Sequence, residues 1–195
     1  MSFRVWLKTN VADKVLFPVR AEIISLVQPG ESLLEIGSGT GDLLFQSSSK
    51  ISHGCGVDID KKMIEHSKIT AKERNINNID FICNDVRNLE IENYDISTST
   101  LCLHELPENI ACEILLLMIS NSKIVVIADY TSSDTFLGKL SIEIDEFFSG
   151  HYRNYRKYKA IGELPYYANK LGARINDIRK TKIDGISLWI IEGEA

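Results

Sequence analysis

Apolar and polar positions fall into blocks along the chain, and the blocks change period. Ser32–Ile36 ("SLLEI") is a short apolar run ending at a glycine, as a strand entering a turn does. Asp42 to Lys50 fits a short helix, and His53 to Asp60 ("HGCGVDID") fits a second strand. From Lys61 to Arg74, Met63, Ile64, Ser67 and Ala71 recur at helical spacing. Ile79 to Asn84 and Tyr94 to Leu103 supply a third and a fourth strand, and Glu105 to Ser120 reads as a helix. Lys123 to Tyr130 ("KIVVIADY") is the continuous apolar run expected of a strand buried on both faces. Strand–helix alternation of this kind predicts an α/β fold, a parallel sheet wrapped by helices.

The pattern changes after Tyr130. Thr131 to Leu171 shows no strand period, looks helical, and carries a dense aromatic and charged stretch, "FFSGHYRNYRKYKAIGELPYY". Ala173 to Lys182 and Ile186 to Glu192 then read as two strands joined at Asp184-Gly185, a strong hairpin signal. No repeat, low-complexity tract or linker interrupts the 195 residues. The expectation is a single domain over 1–195: a doubly wound, mostly parallel sheet with a C-terminal antiparallel hairpin and a helical segment at 131–171.

Composition excludes some classes. A net charge of −5 argues against binding by bare attraction to phosphate backbones, so no nucleic-acid partner is expected. No run of about 18 apolar residues suggests a membrane span, and the opening "MSFRVWLKTN" lacks the apolar core of a secretory signal. Cys55, Cys83, Cys102 and Cys112 form no CxxC pair, and are read as reduced core residues of a cytoplasmic protein.

The candidate chemistry starts at "LLEIGSGTGDLL", Leu33 to Leu44, where Gly37, Gly39 and Gly41 occupy alternate positions. Without a Cβ the backbone can turn sharply and approach a ligand. The loop joins the first strand to its helix, where doubly wound sheets bind ligands. Glu35 precedes it; a carboxylate there repels a pyrophosphate but accepts hydrogen bonds from a cationic amine. Asp58, about 20 residues past the loop, can accept from ribose hydroxyls. Asp58 can equally cap the helix that follows, and Asp85 can serve as a turn residue.

In that order, "LLEIGSGTG", "GVDID", "NDV" and "YDISTSTLCLHEL" resemble the class I S-adenosylmethionine-dependent methyltransferases, over roughly Gln28 to Tyr130. The resemblance implies a Rossmann-like seven-stranded sheet whose last strand runs antiparallel, with S-adenosyl-L-methionine as methyl donor. It places Glu35 near the methionine ammonium, with Gly37, Gly39 and Gly41 close under the methionine and ribose. Asp58 would bind the ribose hydroxyls and Ile59 would pack on the adenine. Asp85 would accept from the adenine amino group, Val86 would flank the ring, and Ser99 and Thr100 would line the methionine side. The nucleic-acid amino methyltransferases carry a Pro-Pro-aromatic motif where this chain reads "STST", which points to a small-molecule acceptor. Asp129 closes the fifth strand, but the fourth offers no acidic partner, so no metal is expected.

Methyl transfer needs alignment more than acid–base groups. His104, in "CLHELP", is the base candidate if the acceptor must lose a proton, or a residue packing the next helix; His151 is a second candidate. Tyr152, Tyr155, Tyr158, Tyr166 and Tyr167 either wall an acceptor pocket within a lid at 131–171 or pack on the sheet with their neighbouring charges in solvent. Tyr155 with Lys159 also forms the Y-x-x-x-K pair of short-chain dehydrogenases, although the glycine loop does not match theirs. A further alternative is a non-catalytic module of the same fold that binds a partner protein through the tyrosine-rich segment.

Overall fold

The computed structural model describes residues 3–132 and 152–195. Seven strands form one sheet: β1 (Ser32–Ile36), β2 (His53–Asp58), β3 (Ile79–Cys83), β4 (Tyr94–Thr100), β5 (Ser122–Tyr130), β6 (Ile175–Lys180) and β7 (Ile186–Glu192). Their order is β3-β2-β1-β4-β5-β7-β6. The first five run parallel, and β7 is antiparallel to both β5 and β6. This is the doubly wound sheet with a terminal antiparallel hairpin that the alternation predicts. The order reverses at β1, so the β1–β4 crevice at the carboxyl ends is the switch point where such sheets take ligands.

Each face of the sheet carries its own apolar layer. Leu33 and Val126 belong to a layer with Val19, Ile23 and Leu43, while Leu34 and Val125 belong to one with Leu115, Met118 and Trp189. Adjacent strand residues point to opposite faces, so a strand covered on both sides must be apolar throughout. β7, buried over most of its length, does so, whereas β6 at the sheet edge exposes Asn176, Ile178, Arg179 and Lys180. Charge along an open edge discourages pairing with another chain.

Helices α1 (Phe3–Leu7), α2 (Asp13–Leu26), α3 (Asp42–Ser47), α4 (Lys61–Glu73), α5 (Glu108–Ser120), α6 (Tyr152–Ile161) and α7 (Glu163–Lys170) complete the described elements. A π-helical turn, Lys8–Ala12, links α1 to α2. No element was expected before Ser32, yet Val19, Ile23 and Val27 are completely buried there, at helical spacing. Pro18 lies inside α2 and interrupts its backbone donors.

Two boundaries differ from expectation for local reasons. β4 stops at Thr100 and not at Leu103, because Leu101 turns into the left-handed region (φ 50°). α5 starts at Glu108 and not at Glu105: Leu106 precedes Pro107 and is held extended, ending a separate 3₁₀ turn over Leu103–Glu105. The cysteines also divide. Cys55 and Cys112 are buried, but Cys83 is exposed and is not a core residue.

Candidate active site

The glycine loop is held from both sides. The amides of Gly37 and Ser38 donate to the Val57 carbonyl at 2.8 and 3.2 Å. The Gly39 amide donates to Asp58 Oδ2 at 2.7 Å, and the Ser67 hydroxyl donates to the Gly39 carbonyl at 3.1 Å. β2 and α4 therefore fix the loop before any ligand arrives. Asp58 does not cap α4. That role belongs to Asp60, whose side chain accepts from the Lys62 and Met63 amides. Asp58 instead braces the loop, its other oxygen accepting from the Asp60 amide at 2.8 Å.

The three glycines serve different ends. A Cβ on Gly37 would sit 2.8 Å from Cys102 Sγ, and one on Gly41 would sit 2.6 Å from the Phe81 ring, so packing forbids both. At Gly39 a Cβ would meet only Lys8 Nζ, at 3.9 Å. Gly39 presents a bare, open face of backbone.

On β1, in the loop and at the end of β4, several polar atoms are buried without partners: Glu35 Oε2, Ser38 Oγ and Thr100 Oγ1. Native structures seldom leave such atoms orphaned. Glu35 is completely enclosed, and burial pushes its carboxyl up to about 8 although the Arg20 guanidinium pulls it down. Arg20 is itself shared, its Nη1 reaching Asp13 at 2.8 Å and Asp42 at 2.6 Å. The Thr40 hydroxyl donates to Asp13 Oδ2 at 2.9 Å. Asp13 and Arg20 thus latch α2 to the loop. Neither was singled out in the sequence, although seven residues apart on a helix places them on one face.

The remaining positions lie at or just after the carboxyl ends of β2, β3 and β4. Ile59 is 75 % exposed beside Asp58. Asp85 initiates the 3₁₀ turn Val86–Asn88 and is gripped by Arg87, at 3.0 Å from Nε and 2.6 Å from Nη2. That grip holds its carboxyl below the usual range. Val86 is buried beneath it, and Ser99 lies at the end of β4. A cleft of about 380 Å³ opens behind the loop between α2, α3 and α4. Arg74 lies over the Phe45 ring there, at 5.0 Å.

At the ends of β4 and β5 a second cluster forms. His104 Nδ1 is hydrogen-bonded to Asp129 Oδ1, and the His104 amide donates to Asp129 Oδ2 at 3.2 Å. Both side chains are within 1 % of complete burial. The Asp129 side chain at Nδ1 sets the orientation of the imidazole and which ring nitrogen carries its proton. Tyr130, Tyr155 and Tyr158 ring the imidazole, with centroids at 4.6, 6.2 and 6.2 Å. Asp129 was weighed in the sequence only as a metal ligand; its pairing with His104, 25 residues away, comes from the register of β4 beside β5. Among the described residues no group of three His, Cys, Asp or Glu side chains could hold a metal ion.

Tyr155 and Tyr158 are buried under α6, and the Tyr158 hydroxyl donates to the Tyr130 carbonyl at 3.2 Å. Lys157 and Lys170 converge with the Tyr166 hydroxyl on Glu108, tying α6 and α7 to α5. Of the expected lid, residues 133–151, including His151, lie outside the described residues.

Comparison with known proteins agrees with this architecture. Residues 33–117 match the family model described as a methyltransferase domain. A curated relative, aklanonic acid methyltransferase of Streptomyces sp. strain C5, is 37 % identical over 73 residues. The match covers 35 % of this chain and only 33 % of that protein. The fold is shared with an S-adenosylmethionine-dependent methyltransferase from Aquifex aeolicus (TM-score 0.67, 11 % identity, 97 % of both chains). It is shared too with magnesium protoporphyrin IX methyltransferase from Synechocystis, solved with bound S-adenosylhomocysteine (TM-score 0.63, 17 % identity, 94 % of this chain and 83 % of that one). A third likeness is to the complex of the Haloferax volcanii Trm112 methyltransferase activator with a methyltransferase (TM-score 0.69, 12 % identity, 100 % and 99 %). By the match at residues 33–117 and by its fold, the chain is similar to S-adenosylmethionine-dependent methyltransferases.

Proposed function

We propose that the protein is an S-adenosylmethionine-dependent methyltransferase acting on a small molecule. The observation that carries this reading is the buried, unpartnered Glu35 Oε2 just ahead of a loop in which Gly39 offers open backbone and Asp58 accepts from the Gly39 amide. A ligand with an ammonium at one end and a ribose at the other matches both acids. When bound, S-adenosylmethionine supplies a methyl group already activated by its sulfonium.

The chain supplies position. Glu35 takes the ammonium, Asp58 the ribose hydroxyls, and Asp85 the adenine amino group, with Ile59 and Val86 against the ring. Ser99 and Thr100 line the methionine side. Gly37 and Gly41 keep the loop low by packing on Cys102 and Phe81. Methyl transfer is an in-line displacement: the acceptor–carbon bond forms as the carbon–sulfur bond breaks. An acceptor hydroxyl or amine loses its proton to His104 Nε2, while Asp129 stabilises the imidazolium. Tyr155 walls this pocket and excludes water.

A small acceptor is favoured by the charge balance. The net charge is −5, and Arg87, Lys157 and Lys170 are engaged with carboxylates, which disfavours a phosphate backbone as acceptor. The test is transfer of labelled methyl from S-adenosylmethionine into a metabolite extract compared with total RNA. Label in a small molecule is expected; label in RNA alone, or in nothing, contradicts the reading.

A further inference from the structure

If Glu35 receives the donor's ammonium, the carboxylate on the same carbon also needs a partner. We propose that Lys8 pairs with that carboxylate, so that the N-terminal segment reads the amino-acid end of the donor as a zwitterion. The inference rests on the donor assignment above.

Lys8 begins the π-helical turn Lys8–Ala12. Its Nζ is 3.9 Å from where a Cβ on Gly39 would lie, and no other group is within 4 Å of that point. The acids near the loop are occupied. Both Asp58 oxygens accept backbone amides, and Asp13 and Asp42 share Arg20. Among the described residues the Lys8 ammonium therefore has no carboxylate to neutralise it, although it stands over a loop bordered by acids. An ammonium held above bare backbone is suited to an anion lying on that backbone.

The segment is fixed on both sides of Lys8. Val5 is buried, and α1 rests on α4. The Thr9 hydroxyl donates to the Val5 and Trp6 carbonyls at 3.0 and 3.1 Å, and the Asn10 side-chain Nδ2 donates to the Trp6 carbonyl at 2.9 Å. Downstream, Asp13 is latched to Thr40 and Arg20. Lys8 thus hangs from an anchored turn. Glu35 is buried and Lys8 is exposed, an acid and a base of opposite sign for the two charges of a zwitterion. Inserted π turns recur at functional sites, where they re-aim a side chain.

Two ligands separate the amino-acid end from the rest. S-adenosylhomocysteine carries it; 5′-methylthioadenosine keeps the nucleoside and sulfur but lacks it. Calorimetry on the full chain is expected to show Lys8→Met weakening S-adenosylhomocysteine about 10-fold and Lys8→Glu about 100-fold, with Lys8→Arg within about 3-fold of the original. Binding of 5′-methylthioadenosine should change less than about 2-fold in all three. Unchanged S-adenosylhomocysteine affinity in Lys8→Met, or equal weakening of both ligands, overturns the Lys8 assignment and leaves the donor assignment standing. Failure of the unaltered chain to bind either ligand overturns both.

Discussion

The two ends of the crevice differ in how their buried polar groups are satisfied. Where β1 and β4 end, Glu35, Ser38 and Thr100 each keep a buried oxygen without a partner. Where β5 ends, Asp129 holds His104 through both ring and amide, and Tyr158 closes on the Tyr130 carbonyl. A buried polar atom left unpaired costs about 1–3 kcal/mol. The first end is therefore incomplete until a ligand with matching polar groups fills it, and the second is finished by the chain itself. On the proposed reading, recognition of the donor falls to one end and preset chemistry to the other.

The largest effect should come from breaking the finished end. His104→Gln or Asp129→Asn is expected to lower methyl transfer about 10²- to 10⁴-fold, while S-adenosylhomocysteine affinity, read by calorimetry, stays within about 3-fold. Tyr155→Phe should cost less than about 3-fold in rate if the ring only walls the pocket. Loss of all activity in that variant would favour proton transfer through a Tyr155–Lys159 pair, as in the dehydrogenase reading.

Next come changes to the incomplete end. Gly39→Val should weaken the donor at least about 100-fold, or roughly 3 kcal/mol, because its side chain enters the open face. Gly41→Ala should act on the fold instead, since its methyl meets Phe81, and a lowered melting temperature would report it. If the two variants exchange these effects, the division of labour among the glycines is wrong. Asp58→Ala should weaken the donor by about 1–3 kcal/mol.

The smallest effect concerns acidity. Burial raises Glu35 to about 8, above the ordinary 4.5 of an unfolded chain. Between those values the folded protein binds the extra proton, so this group makes the unliganded protein lose stability as pH rises from about 4.5 to about 8. Glu35→Gln should flatten that part of the melting-temperature profile. An unchanged profile would mean that Glu35 is ionised throughout.

The incomplete end was the more legible in sequence. Each of its residues sits on or next to a strand terminus, so loop composition and spacing drew attention to Glu35, Gly39 and Asp58, while the family resemblance added Asp85. The finished end depends on side chains brought together by sheet register and by α6. "CLHELP" marks His104 as a candidate, but only β4 lying beside β5 reveals Asp129 as its partner. The N-terminal helices escaped for another reason. Pro18 breaks the helical reading of α2, and Asp13 and Arg20 gain meaning only against Thr40 and Asp42 across the loop. Among the tyrosines, spacing was informative about the helix but silent on burial: Tyr155 and Tyr158 share α6 yet serve opposite faces of the sheet.

The most direct test of the account is the proton balance of donor binding. S-adenosylhomocysteine is titrated into the full chain at pH 7 in two buffers of different ionisation enthalpy. The account predicts saturable binding at one site with release of nearly one proton, because the ligand ammonium converts Glu35 from its protonated form to the carboxylate. Binding without proton release, or no binding at all alongside uptake of a nicotinamide dinucleotide, would contradict it.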